Sequence, residues 1–384
     1  MGPLVDTPKP SVLFFGPFIG WGPKERGLLR EAKEVTSIGI KVVICCPLDS
    51  YIHVEAKNLG IETQAIRVVS GARWMNAYKD VFKLLIKRHQ LTHFHCFDNI
   101  SLFICSYFLR PYPQIALIWS IHGTPPTLKG NWLEKILLKR ADRFLLPSSL
   151  SVSKLTEQLK IPTHKVARVG LAIDSKSISN HEPSLLDGFK IGLSLVDGEE
   201  SLKSTEVVAR SLALVLARGI DNAKLLLHTP RDWNTSVWRS GLESVIDSLD
   251  LKPYVTFVSG VDFSSFISDI HISIAIETST VPYDQLETSF LAGVPVIYPR
   301  NRSYRDLLYG VEVGAFSYKP RDSREMAEKI LKLYSTWSEQ RQAMQGLKEE
   351  HSKWHEPALV RSQLEQVYKK TMLRRAKYWL QYNK

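Results

Sequence analysis

His122 lies in the stretch Ser120-Ile-His-Gly-Thr-Pro-Pro126, just past an apolar run and just before a Gly/Pro turn. An imidazole at the end of a strand is presented to whatever binds there, and near neutrality it can take a proton or hydrogen-bond a hydroxyl. A second candidate is the loop Gly16-Pro-Phe-Ile-Gly-Trp-Gly-Pro-Lys-Glu-Arg26, which follows an apolar run and opens a helical period. Backbone N–H groups in that setting face a phosphate or a developing negative charge, and Gly20 and Gly22 give the close approach. The glycine spacing is not that of a dinucleotide fingerprint. Tyr283 and Asp284 precede a third helical period, where Asp284 is placed to cap the helix and its first amides to take a phosphate. His93 and His95 alternate along one strand face and read as satisfied structural histidines. With no DxD motif and no His, Cys or carboxylate cluster at ligand spacing, no metal site is expected.

These residues need a scaffold of strand ends and helix starts, and the pattern supplies one. Short apolar runs at 11–15, 41–46, 92–96, 115–120, 143–146 and 166–169 alternate with helical periods at 24–37, 74–89, 99–109, 131–140 and 149–160. A second series runs through 189–193, 224–227, 255–258, 272–276 and 294–298, and ends in helices at 322–335 and 357–383. Continuous apolar strands between helices require a parallel sheet covered on both faces. The right-handed crossover rule makes each sheet doubly wound. The polar, Ser-rich stretch 174–187 is the expected hinge. The expectation is therefore α/β: two doubly wound Rossmann-like domains, 1–175 and 176–355, facing a cleft, followed by a C-terminal segment, 356–384.

At 384 residues, 44% hydrophobic, the chain is too long for one core and too apolar for disorder. Cys45, Cys46, Cys96 and Cys105 form neither a CxxC pair nor a disulfide framework, which suits a reducing cytoplasm. No run approaches the ~18 apolar residues of a spanning helix, and the start offers no signal-peptide pattern. The net charge of +11 is uneven: +10 over 1–175, −5 over 176–367, and +6 over 368–384. A basic first half implies an anionic partner surface. Two amphipathic stretches add to it. One is 74–88, where Trp74, Tyr78, Val81, Phe82, Leu85 and Ile86 make a stripe beside Lys79, Lys83, Lys87 and Arg88; the other is the tail 368–384. Such helices suit an anionic lipid interface, here the inner membrane face, and would also serve nucleic-acid phosphates. The first stripe equally suits packing on its own sheet.

Several segments, in order, resemble glycosyltransferases of the GT-B fold and family 4 (GT4-like) type. They are Ala141–Ser148, Val166–Asp174, Val255–Gly260, Leu286–Ile297, and the closing stretch with Trp354 and Leu364-Glu-Gln-Val-Tyr368. The resemblance implies a nucleotide diphosphate sugar of UDP or GDP type as donor substrate, held mainly by the second domain, with no tightly bound cofactor and no obligatory metal. It implies an acceptor on the first domain and a final helix that crosses back onto that domain. Carried over residue by residue, it places His122 near the transferred sugar and Gly22, before Glu25-Arg26, against the diphosphate. Lys203 falls at the family's diphosphate lysine, and Gly20, Ser194, Gly260, Glu277, Asp284 and Thr288 lie along the donor path. Two departures stand out. Ser194 or Leu195 holds the place of the family's arginine, with Arg231 or Arg300 as substitutes. Thr280 and Thr288 stand at the family's paired glutamates, with Glu277 and Glu287 as the nearest acids. Glu287 is carried as a catalytic candidate beside His122.

The expected activity is metal-independent transfer of a sugar to an anionic or membrane-associated acceptor, such as a glycolipid or polysaccharide precursor. The alternatives are glycosylation of a modified DNA base, and a catalytically silent GT-B protein that binds a sugar nucleotide or a partner.

Overall fold

The computed structural model describes residues 9–67, 74–122, 138–147, 155–157, 160–173, 178, 183–195, 199–229, 237–277, 281–301, 304–305, 308 and 314–382. The chain divides into two compact units, residues 1–172 with 357–384, and residues 173–356. In chain order the first unit contributes β1 (Ser11–Phe15), α1 (Pro23–Ser37), β2 (Lys41–Pro47), α2 (Tyr51–Asn58), β3 (Glu62–Ile66), α3 (Trp74–His89), β4 (His93–Cys96), α4 (Asn99–Phe108), β5 (Ala116–Ser120), β6 (Arg143–Leu146) and β7 (Val166–Arg168). The second contributes β8 (Phe189–Ser194), α5 (Glu199–Ala217), β9 (Ala223–Thr229), α6 (Val237–Ser248), β10 (Val255–Ser259), α7 (Phe263–Ser268), β11 (Ile272–Ile274), α8 (Tyr283–Ala292), β12 (Val296–Pro299), β13 (Ala315–Tyr318), α9 (Ser323–Ser335) and α10 (Trp337–His355). The last helix, α11 (Pro357–Tyr382), returns to the first unit.

Both sheets are parallel throughout and doubly wound. Their orders are β3-β2-β1-β4-β5-β6-β7 and β10-β9-β8-β11-β12-β13. In each sheet the strand order reverses beside the first strand, between β1 and β4 and between β8 and β11. The carboxyl ends of strands at such a reversal are where open α/β sheets bind ligands. The loop holding Gly20 and Gly22 leaves β1, Ser194 ends β8, and Glu277 follows β11, so these four candidates lie at the two reversal points.

The central strands of the first sheet are buried because helices cover both faces. Val12 and Phe14 join a core completed by Val360, Leu364, Val367 and Tyr368 of α11, while Leu13 and Phe15 face the opposite core. There Phe82 of α3 meets Phe15, Phe94 and Phe108 edge-on at 5.1, 5.2 and 5.4 Å. The apolar stripe of α3 is thus spent on its own sheet: Tyr78, Phe82 and Leu85 are buried, and Lys79, Lys83, Lys87 and Arg88 stay exposed. The four cysteines are free and buried. No described helix is long and apolar enough to cross a membrane.

Among the elements the structure adds to the sequence reading are α2, β3, α6, α7, β13 and the 19-residue helix α10. The helices expected at 131–140 and 149–160 lie largely outside the described residues.

Candidate active site

His122 follows β5 and lies over α1, the helix that opens at Gly22. Its ring stacks on Phe97 at 5.8 Å with the planes 8° apart. On the other side it rests on Gly27, where a Cβ would stand 2.4 Å from the imidazole. Only glycine leaves room for the ring at that turn of α1. One turn further, on the same helix face, Glu31 brings Oε1 to 2.8 Å from His122 Nε2, an ion-pair contact bent away from ideal hydrogen-bond alignment.

Glu31 is buried, and its second oxygen anchors a chain of hydroxyls and rings. Ser120 Oγ donates to Glu31 Oε2 at 2.9 Å, His95 Nε2 lies 2.7 Å from Ser120 Oγ, and Tyr368 Oη lies 2.8 Å from His95 Nδ1. One set of proton positions satisfies every link: Tyr368 donates to His95, His95 to Ser120, and Ser120 to Glu31. His95 must then be neutral, and burial pushes its pKa down to about 4, against the opposing Glu31 charge. Burial also pulls the next histidine of β4, His93, down to about 3, where it is held by Thr92 Oγ1 at 2.7 Å and Thr371 Oγ1 at 2.9 Å. Both are satisfied structural histidines, as their strand position suggested. For Glu31, burial works to raise the carboxyl, but the His122 contact, the neighbouring His95 and His122 rings and the Ser120 hydroxyl together lower it. A carboxylate beside Nε2 favours the tautomer of His122 that carries its proton there, with Nδ1 as the acceptor.

Gly22 is the extended residue before α1, its carbonyl accepting from Arg26 N at 3.0 Å, and Pro23 takes the first helical position. Gly20 lies in the loop ahead of it, half-buried. Burial raises the Glu25 carboxyl in the first turn, opposed by backbone hydrogen bonds and by Lys24 and Arg26.

In the second unit the candidates are arranged less openly. Ser194 Oγ lies 3.1 Å from His228 Nδ1, whose Nε2 lies 3.0 Å from the Val261 carbonyl. Lys203 stands exposed in the second turn of α5. Gly260 turns the chain after β10 with φ +79. Glu277 follows β11 and its carbonyl accepts from Ser204 Oγ at 3.0 Å. Helix α8 starts after Pro282 with no side-chain cap, so Asp284 sits inside its first turn rather than capping it, and there favours the positive end of the helix. The Thr288 hydroxyl donates back to the Asp284 carbonyl at 2.7 Å. Arg300 is bound by Ser317 at 3.3 Å and by Glu325. Thr280 and Arg231 fall outside the described residues.

Glu287 turns away from these residues. Its Oε2 meets Nδ1 of His351 and, at 3.0 Å, Nε2 of His355, both on α10. Burial works to raise this carboxyl, and the two histidines reverse the shift to well below the usual carboxylate range. The pair and its carboxylate were not legible at the sequence level, because α10 itself was not. Glu31 and Gly27 were missed as well; their signal is the four-residue spacing that puts a residue without a side chain and an acid on one face of α1.

Residues 25–177 match the model of Glycosyltransferase Family 4. No curated protein sequence matches the chain. Among solved structures, Anabaena Alr3699/HepE in complex with UDP-glucose is 14% identical, covers 94% of this chain and 99% of its own, and superposes with a TM-score of 0.73. A glycosyltransferase from Rickettsia africae ESF-5 is 15% identical over 95% of this chain and 99% of its own, with a TM-score of 0.72. Sucrose-phosphate synthase from Thermosynechococcus elongatus is 14% identical over 94% and 98%, with a TM-score of 0.70. The fold is that of the GT-B glycosyltransferases: two Rossmann-like domains, the final helix packed back on the first. The family 4 match covers most of the first unit, from the helix under His122 through β7.

Proposed function

We propose that the protein is a glycosyltransferase that moves a sugar from a nucleoside diphosphate sugar to an acceptor hydroxyl on an anionic or membrane-held molecule. In that reaction the bond from the anomeric carbon to the diphosphate oxygen breaks, the acceptor oxygen bonds to that carbon, and the acceptor proton leaves. The observation that carries the reading is His122, held between Gly27 and Phe97 with Nε2 against the ionised Glu31. That grip fixes ring and tautomer together and leaves Nδ1 to accept from a sugar hydroxyl or to take a proton. Glu31 is a positioning residue, acting through His122. The amides around Gly22 at the start of α1 and the Lys203 ammonium are the diphosphate contacts in this reading. Gly20, Ser194, Gly260, Glu277, Asp284 and Thr288 are second-rank candidates along the donor path. The family 4 match and the UDP and UDP-glucose complexes of HepE, a protein of the same fold, support a uridine nucleotide first. The exposed cations of α3 and the charge of the first half support an anionic acceptor surface.

A second reading has its own observation. Thr288, at one of the family's paired glutamates, and Glu287 beside it are both engaged inside the second unit, which favours a protein that binds a sugar nucleotide without transferring it. One experiment separates the two. The full chain is incubated with UDP- and GDP-sugars and anionic glycolipid acceptors, and nucleoside diphosphate release and product mass are followed. Turnover with at least one donor supports transfer; donor binding without turnover across the panel supports the silent reading.

A further inference from the structure

We infer that Glu287, His351 and His355 form a divalent-metal site that takes zinc and ties α8 to α10. Among the described residues this is the one group of three His, Cys or acidic side chains whose ligand atoms converge, all within 4.8 Å of one another. The two histidines are four residues apart on α10, the spacing that puts both rings on one helix face, and their planes lie 11° apart. Both present a nitrogen to the same oxygen, Oε2 of Glu287.

Two imidazole nitrogens and a carboxylate oxygen are a zinc donor set, the ligand types of open His₂Glu sites. A tetrahedral zinc with bonds of about 2.1 Å spaces its ligand atoms about 3.4 Å apart. His355 Nε2 and Glu287 Oε2 stand at 3.0 Å, so small side-chain rotations admit the ion. The surroundings fit an ion that is held. Glu287 and His355 are buried, while His351 keeps 19% of its side chain exposed, a route for entry and for a water in the fourth position. Phe290 packs on the His351 ring at 5.3 Å. A buried carboxylate set against two rings is a poor way to join two helices, since apolar side chains of similar volume do it at least as well. An ion drawn to all three gives the trio a purpose.

The site lies in the second unit and needs neither His122 nor a donor, so the test is independent of catalysis. Untagged full-length protein is stripped with a chelator, dialysed against micromolar zinc sulfate, and assayed for bound zinc, melting temperature and, after cobalt(II) substitution, visible absorption. The expected result is one zinc per chain, a higher melting temperature with zinc than without, and the intense absorption of tetrahedral cobalt. Glu287→Gln, which keeps the packing, and the double variant His351→Gln/His355→Gln should each weaken zinc binding at least tenfold. A folded wild-type chain that takes up less than a tenth of an equivalent, or variants that hold zinc as tightly as wild type, overturns the inference. If the double variant does not fold, Glu287→Gln with the cobalt spectrum decides.

Discussion

Each unit buries one carboxylate between two histidines, and the two trios are built differently. Glu31 spreads its partners: His122 meets Oε1, Ser120 meets Oε2, and His95 is reached through Ser120. The partners come from three places, β4, the end of β5 and α11, and the outermost, His122, stands past a strand end. Glu287 concentrates its partners: two rings from one helix converge on one oxygen. The spread arrangement orients a single reactive ring and passes its hydrogen bonds inward until each is satisfied. The convergent one aims both rings at a single point, as a set of metal ligands does. Burial of a charge is common to both; the direction in which the histidines point distinguishes a positioning device from a ligand cage.

If the Glu31 trio serves His122, damage there should fall on turnover. His122→Ala should lower kcat roughly 10²–10⁴-fold with the melting temperature little changed. Glu31→Gln should lower kcat by about 10- to 100-fold while leaving the donor KM within about twofold, since a positioning residue acts through His122 and not through binding. Glu31→Ala should be worse than Glu31→Gln, because it also leaves Ser120 without its acceptor. Gly27→Ala puts a methyl 2.4 Å from the imidazole, so the ring must move. A stability loss of about 1–3 kcal/mol in chemical unfolding and a fall in kcat are expected together. Equal kinetic losses from Glu287→Gln and Glu31→Gln would erase the distinction between the trios.

A last effect concerns acid. His93 and His95 are held neutral at about 3 and about 4 by burial, whereas an unfolded imidazole titrates near 6.5. Between those values the unfolded chain binds more protons than the folded one. The stability is therefore complete above pH ~6.5 and is lost as pH falls toward 4, at up to about 1.4 kcal/mol per pH unit for each ring. Unfolding midpoints at pH 7.5, 6.5 and 5.5 should show this fall, and a flat profile would mean that these rings titrate alike in the folded and unfolded chains.

Most of the fold was legible in the sequence because both sheets are buried on both faces. Val12-Leu-Phe-Phe15 and Lys41-Val-Val-Ile-Cys-Cys46 read as strands with no help from their neighbours. Elements were lost where burial is partial. The edge strand β3, Glu-Thr-Gln-Ala-Ile, and the outer strand β13 carry mixed residues. The helix α10 is rich in Glu, Gln and Lys and offers few apolar positions. With α10 unseen, His351 and His355 had no helix to share, and the Glu287 trio could not be read. His122 was legible because a strand end followed by Gly and Pro announces itself. Its partner Glu31 was not, because an acid in mid-helix looks like any solvated residue until the strand beside it is placed.

The central claim is that His122, held by Glu31, does the chemistry on a nucleotide sugar. The most direct measurement is the rate of sugar transfer by wild type and His122→Ala with the best donor and acceptor from the panel, each protein first shown to be folded. The account expects wild-type turnover and a loss of at least about 100-fold in the variant. Equal rates in the two proteins would contradict it.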